Sequence, residues 1–442
     1  MVIENNNHMT ILVRLPIEKA FLPLATSFVE KGALAFGLGE KETLGLTLAA
    51  EEIFSYLCHV GPKGQTIEIR CKSGVYFVLL DFLLSWPGLR MRPFNLAATI
   101  SLENEESLQE MGLLIASRFV DRLFVREEPG KGIQLSLCKE KSYPEVKPYP
   151  QTCAGSLVSG FSIRAPLAEE LKMFAPMVAY CYSSVLVHDA FRFPGKVVDM
   201  VGSGEYQAAV AVGGSGEIRG GILWHWPGVK TVECFGPYLL GRRPDPPMAE
   251  ALIEVCLGAI AKTPALGLLV RLPTEDLPKE LFETLGSLTL RNKDKESSRT
   301  LTAYFRQIHE DLGATSWCHP ELEPFLREEY DRLVLPREIR LISDLGEHQN
   351  PFSVLSAEMD RSHGAVILQP LRAGMDAEKN TMDHLMLFRR ESIDNIFFTI
   401  DLGCSWHALF VPGLLKQGFR PRLILPNAGE GDTVVFQEGD FL

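Results

Sequence analysis

The chain has 442 residues, 46% hydrophobic and 23% charged, a globular composition that excludes a disordered or low-complexity chain. Lys and Arg total 44 against 56 Asp and Glu, a net charge of −12. That excludes the basic balance of a nucleic-acid binder. At ~100–200 residues per domain the length predicts two to four domains. The first 150 residues hold 16 basic and 18 acidic groups, and the remainder 28 and 38. The acidic excess therefore belongs to the C-terminal two-thirds. The nine cysteines are odd in number, and none has C-x-x-C spacing. This predicts free thiols and a reducing compartment. The longest apolar run, 75–86, is broken by Asp81 and is shorter than the ~20 residues of a membrane span. The N-terminus carries no basic stretch followed by an apolar one, so no signal peptide is expected. These features predict a cytoplasmic chain without a membrane segment.

In chain order, residues 11–15 read as a strand, 19–31 as a helix with Pro23 in its first turn, and 44–60 as a longer helix. On the latter, Leu46, Ala49, Ala50, Ile53, Leu57 and Val60 form one apolar stripe. Strands follow at 66–71 and 76–80, a helix at 108–123 and a strand at 133–138. Pro144, Pro148 and Pro150 mark 142–160 as a linker. Beyond it, helices are expected at 167–173, 175–188 and 248–262, with strands at 208–212, 220–224 and 231–236. A second, weaker boundary lies near 311–337, with a short helix at 321–330.

An internal repeat stands out. Residues 266–271, 278–285, 287–291 and 301–306 read strand, helix, strand, strand. The same order returns at 396–401, 406–417, 421–425 and 433–437. In each copy a Gly, Gly286 or Gly418, stands just after the helix.

On the helix over 44–60, Glu52, Ser55, Tyr56 and His59 share a face. A carboxylate there is a candidate general base, or simply a solvated helix residue. Four stretches widen that reading: LTLAAEEIFSY at 46–56, VYFVLLDFLLSWPG at 75–88, EMGLLIASRFVDRLFV at 110–125 and GKGIQLSLCKEK at 130–141. With them, 10–140 resembles the ATPase domain of the anti-sigma-factor serine kinases, part of the GHKL superfamily shared with histidine kinases. The resemblance implies Glu52 as the candidate base and Asp81, Gly112, Ser55 and Tyr56 as nucleotide-binding positions, with ATP and Mg²⁺ as ligands. Several motif positions differ. Tyr56 stands where the family has its magnesium-holding Asn, Leu83 replaces the glycine after the Asp, and Glu110 precedes Gly112. A phenol is a poor Mg²⁺ ligand, and a carboxylate repels phosphate at a helix N-terminus. These differences imply weak or absent ATP binding. Asp81 could equally be a hydrogen-bonded structural carboxylate.

Residues 160–310, with MVGSGEYQAAVAVGGSGEIRGGILWHW at 200–226, resemble the GNAT acyltransferases. Residues 320–442, ending GFRPRLILPNAGEGDTVVFQ, resemble a reduced second copy. In that family a Gly-rich turn at a helix N-terminus seats the CoA pyrophosphate on backbone N–H groups. The corresponding stretch here is GRRPDPPMAEA at 241–251. Arg242 and Arg243 are its CoA-binding candidates, while Pro246 and Pro247 remove N–H donors. Glu233 or Tyr238 would be the acid or base for acetyl-CoA chemistry. His225 between two tryptophans and His188-Asp189 read mainly as packing residues. PNAGEGDT at 426–433 reads as an acidic hairpin turn rather than a phosphate loop.

The expectation is an α/β chain: an α+β sandwich of GHKL type (1–141), a linker (142–160) and two GNAT-like α/β domains (161–310 and 320–442). The function expected is that of a bacterial regulatory protein, anti-sigma-factor-like, acting mainly by protein binding. Its partner would be of the sigma-factor or anti-sigma-antagonist type, and a homodimer is possible. The alternatives are a GNAT-type N-acyltransferase using acyl-CoA and a non-catalytic scaffold.

Overall fold

The computed structural model describes residues 9–85, 92–97, 112–113, 116–128, 132–146, 160–241, 245–291, 298–344, 346, 350–360 and 364–439. The chain is of the mixed α/β class.

The first unit runs β1 (Thr10–Pro16), α1 (Leu22–Ala35), α2 (Glu40–Val60), β2 (Thr66–Ser73), β3 (Phe77–Leu84), β4 (Arg122–Glu128) and β5 (Gly132–Glu140). Its antiparallel sheet has the order β1-β2-β3-β5-β4. Successive side chains on a strand point to opposite faces. Ile67, Ile69, Val78, Leu80 and Phe82 therefore fall on one face, where Ile53, Phe54 and Leu57 of α2 cover them. Phe77 and Leu79 fall on the other face and pack against Leu171, Phe174 and Tyr238 of the next unit. Part of the helix expected at 108–123 lies outside the described residues. Its C-terminal end is corrected: Arg122 and Leu123 already belong to β4, paired with Cys138 and Leu137. Strand pairing overrides the helical pattern there.

The second unit comprises β6 (Phe161–Arg164), α3 (Ala168–Cys181), α4 (Pro194–Gly202), β7 (Tyr206–Gly213), β8 (Ile218–His225), β9 (Thr231–Leu239), α5 (Pro246–Ile260), β10 (Gly267–Val270), β11 (Glu283–Arg291) and β12 (Ser298–Gln307). Where two helices were expected at 167–188, one helix runs through Pro176 and stops at Cys181. The expected helix at 278–285 is a 3₁₀ turn, Lys279–Leu281, because β11 begins at Glu283 against Phe305.

The third unit comprises β13 (Ala314–Cys318), α6 (Glu323–Leu333), β14 (Arg337–Leu341), β15 (Val354–Asp360), β16 (Ala365–Arg372), α7 (Ala377–Arg390), β17 (Asn395–Asp401), α8 (Val411–Lys416), β18 (Phe419–Leu425) and β19 (Thr433–Glu438). The second and third units share a twelve-stranded sheet of order β15-β16-β17-β19-β18-β11-β12-β10-β9-β8-β7-β6. The series β8-β9-α5-β10-β11-β12 therefore has its counterpart in β15-β16-α7-β17-β18-β19. In each, a helix connects two parallel neighbours, β9 with β10 and β16 with β17. The series meet at their equivalent strands, where Gly286 opposes Leu423. Gly286 has φ 133°, and a Cβ there would stand 2.4 Å from the Arg422 carbonyl oxygen. Only glycine allows that approach.

The first and third units also interlock. Asn95 donates to the Ser353 carbonyl (2.9 Å) and accepts from the Leu355 N–H (2.9 Å). Val354 lies within the first unit's core. Among the described residues no helix is long and apolar enough to cross a membrane, and no cysteine is bonded to another.

Candidate functional site

The structure separates the residues expected to bind nucleotide. Glu52 lies on α2, and its carboxylate packs against Gly112: a Cβ on Gly112 would fall 2.0 Å from Glu52 Oε2. The carboxylate thus occupies the space beside that glycine. Burial, then Glu51, raises its pKa. Ser55 is half-buried. Tyr56 is buried in the core with Ile53 and Leu57, so it does not share a solvent face with Glu52. Asp81 lies apart from these residues. It sits on β3 between Leu80 and Phe82, and therefore on the sheet face opposite α2. There it is fully buried, accepts from Ser136 Oγ at 2.6 Å and faces Lys72 Nζ at 3.0 Å. It does not meet Glu52.

The second unit holds the cleft. β10 pairs with β9 only at Thr231, Val232 and Glu233, while β9 continues to Leu239 beside β8. Past Glu233, side chains replace the departed strand. Thr274 Oγ1 donates to the Pro237 carbonyl at 2.8 Å. The Leu239 N–H donates to the Tyr182 hydroxyl at 2.5 Å. That hydroxyl also lies 2.6 Å from Asp276 Oδ2 and 3.0 Å from the Leu239 carbonyl oxygen. A phenol has one proton, and the shorter contact assigns it to Asp276. Burial and then Asp276 push the phenol pKa up, so the hydroxyl stays protonated.

The cleft behind Tyr182 measures about 590 Å³. Asp245, Glu250, Glu275, Asp276 and Glu280 line it against Arg299. At the α5 N-terminus, Pro246 and Pro247 offer no N–H, and the Met248 N–H is taken by Asp245 Oδ1 at 3.3 Å. Among the described residues at this helix start, the donors that would hold a pyrophosphate are absent or used. Arg242 and Arg243 lie outside the described residues.

Three residues considered separately in the sequence come together on the other part of β9. His225 and Glu233 are cross-strand partners, with His225 Nε2 3.3 Å from Glu233 Oε2. Arg271 grips the same carboxylate through Nε (2.6 Å) and Nη2 (2.7 Å). Burial alone would raise Glu233, but Arg271 and His225 hold it down to about 2. Tyr206 stacks on His225 at 4.6 Å, and its hydroxyl lies 3.5 Å from His188 Nε2. Burial, then His225, brings His188 down to about 3. Sequence reasoning missed Tyr206 and Arg271. Its place at the end of the strand expected at 266–271 was the available signal for the latter. Tyr238, the other acid–base candidate, is fully buried and donates to the Leu186 carbonyl at 3.0 Å.

The turn at 426–433 has no free phosphate seat. Asp401 accepts from Glu430 N (2.7 Å) and Gly431 N (3.0 Å), and Asp432 accepts from Asn427 N (2.8 Å). Carboxylates of the turn and of β17 occupy those donors.

No protein-family model matches the sequence, and no curated protein matches it. Several solved structures are similar over 34% of the chain. A GNAT superfamily phosphinothricin acetyltransferase from Sinorhizobium meliloti, in complex with AcCoA, shares 14% identity, is covered over 90% of its length and gives a TM-score of 0.29. An N-acetyltransferase from Staphylococcus aureus Mu50 shares 15% identity over 100% of its length, with a TM-score of 0.29. An aminoglycoside 6'-N-acetyltransferase complexed with coenzyme A shares 13% identity over 98% of its length, with a TM-score of 0.27.

Proposed function

We propose that this chain is a regulatory binding protein built partly on a GNAT-like sheet, and that it does not transfer acyl groups from CoA. The observation that carries this reading is the closure of the β9–β10 gap by Tyr182 on Leu239. The prolines at the α5 N-terminus and the carboxylates lining the cleft act in the same direction, since phosphate binding needs free N–H groups or cations. Glu233, held ionised by Arg271, has little affinity for a proton and is a weak general base near neutrality. The resemblance of 10–140 to anti-sigma-factor kinases supplies the class of partner: a protein of the sigma-factor or sigma-antagonist type, bound without nucleotide turnover.

A second reading, N-acyl transfer, is favoured by one observation. A carboxylate–imidazole pair, Glu233 and His225, stands where β9 loses β10, an arrangement that can orient a base.

Titration calorimetry of the full chain with acetyl-CoA decides between them. We expect no binding heat up to millimolar ligand. Micromolar binding, or release of CoA in the presence of amines, would overturn the proposal in favour of acyl transfer.

A further inference from the structure

We propose that β14 is a docking edge for a second copy of this chain, the two strands pairing antiparallel about a two-fold axis at Ile339. The proposal goes beyond the reading above and does not depend on it.

The edge is open. β13 and β14 form a parallel pair of their own. β13 is anchored on its far side, where the Trp317 N–H donates to the Leu402 carbonyl at 2.8 Å. The Pro336 carbonyl accepts from the Ala314 N–H (3.2 Å), and the Ile342 N–H donates to the Cys318 carbonyl (2.9 Å). Backbone groups alternate sides along a strand. Pro336, Glu338, Arg340 and Ile342 therefore serve β13, whereas Arg337, Ile339 and Leu341 turn their N–H and carbonyl groups outward. Among the described residues no strand pairs with that side, and none of its backbone groups is bonded elsewhere. An uncovered edge is a template for another chain.

The side chains select the partner. About an axis at Ile339, that residue faces its own copy and Arg337 faces Leu341 of the second copy. These are the outward-turned residues, so each pair exchanges both backbone bonds. Between them, Glu338 faces Arg340 of the second copy on either side of the axis. Such non-hydrogen-bonded positions bring side chains closest, and opposite charges there stabilise the pair. Both side chains are available: they are 63% and 49% exposed and now pair with each other at 3.0 Å. Moving the axis by one residue would set Glu338 or Arg340 against itself. The charge pattern of the strand is thus complementary to itself in this register.

The neighbouring surface is apolar. Because β13 and β14 run parallel from Ala314 and Arg337, the segments that precede them lie at one end. There Leu312 is 90% and Val334 82% exposed, the two most open large apolar side chains among the described residues. The register brings the exposed Leu341 of the second copy to Arg337, on the rim of the pocket that Leu312 and Pro336 line. Leu312 thereby gains an apolar neighbour.

The test is sedimentation velocity of the full chain from micromolar to hundreds of micromolar. Wild type is compared with Glu338→Arg, Arg340→Glu, the double swap and Ile339→Pro, after thermal melts establish that each is folded. Wild type should show a monomer–dimer equilibrium. Each single reversal sets like charges opposite each other and should raise the dimer Kd at least about ten-fold. The double swap restores opposite charges and should return the Kd to within about three-fold of wild type. Ile339→Pro removes an outward N–H without touching the bonds to β13 and should abolish the dimer. The charge series stands by itself where the proline variant does not fold. A wild type that stays monomeric, or a dimer indifferent to the reversals, would overturn the proposal.

Discussion

Asn95 and Asn380 are 285 positions apart in sequence, yet the Asn380 amide donates to Asn95 Oδ1 at 3.0 Å. Asn380 also donates to the Ser353 carbonyl (3.2 Å) and to Ser353 Oγ (3.0 Å). One primary amide thus ties the first unit to α7 and to the open edge of the twelve-stranded sheet. β15 is the last strand of that sheet, and Asn95 serves Ser353 and Leu355 as a neighbouring strand would. Edges left unpaired are a hazard, and this one is covered by another part of the same chain.

Replacing Asn95 with Ala removes three hydrogen bonds and strands the Leu355 N–H, at about 1–3 kcal/mol for an unsatisfied buried group, while Ser353 and Asn380 still bond each other. The expected loss is roughly 2–4 kcal/mol in urea unfolding. An unchanged midpoint would mean that water replaces the amide without cost.

Arg337 has a fully buried side chain and bridges two acids. Nη1 lies 2.8 Å from Asp311 Oδ2, and Nε lies 2.7 Å from Asp432 Oδ2. Burial works against its charge, but the two carboxylates more than offset it. Arg337→Ala should cost about 3–5 kcal/mol, because two buried carboxylates lose their partner. A triple replacement of Arg337, Asp311 and Asp432 by apolar residues should cost less than the single change. Denaturation of both variants checks the order.

Arg271→Ala should act through Glu233. The carboxylate is 1% exposed, so losing the guanidinium leaves it buried with His225 alone, at about 3–5 kcal/mol near pH 7. In the wild type the folded pKa is below the unfolded one, so that stability is present above pH ~4.5 and lost as pH falls toward 2. In the variant burial dominates, and the folded pKa rises above the unfolded one. Its deficit should therefore shrink between pH 7 and pH 5. A deficit constant over that range would exclude an ionised Glu233 as its source.

His384 and His407 are buried, and burial is the chief cause lowering them to about 4 and about 3. Below pH ~6.5 the unfolded chain takes up protons that the folded chain refuses, so stability falls as pH drops. Each should remove on the order of 1 kcal/mol per pH unit between 6.5 and its folded pKa. The slope should weaken in a His384→Gln variant, measured by chemical denaturation at several pH values.

Asp81 and Glu52 should respond differently to truncation. Asp81→Ala leaves Lys72, which is 31% exposed and can regain water, so a loss of about 2–3 kcal/mol is expected. Glu52→Ala, on a half-buried helix position, should shift stability by less than about 1 kcal/mol. Neither variant should alter Mg-ATP binding, because none is expected in the parent chain. Equal destabilisation by both would count against the assignment of Asp81 as structural.

The elements themselves were legible because periodicity belongs to each segment alone. The stripe on 44–60 and the strands at 66–71 and 133–138 needed no partner to be read. The repeat was legible for the same reason: two segments that bury similar faces carry similar patterns. Misreadings fell where pairing outweighs local preference, as at Arg122 and Leu123 and at Glu283, where strands displaced the ends of expected helices.

The sequence by itself determined the α/β class, several of the elements and the fact that Asp81 alternates away from Leu80 and Phe82. It could not say which sheet face the helices cover, so it could not tell a nucleotide contact from a buried ion pair. Only the tertiary structure decided that β11 meets β18, that Asn95 closes the edge at β15, and that Tyr182 fills the gap beside Leu239. The physical reason is common to all three. Local pattern fixes which groups each segment must bury or satisfy, whereas the partner that satisfies them comes from a distant segment whose position is set by the packing of the whole chain.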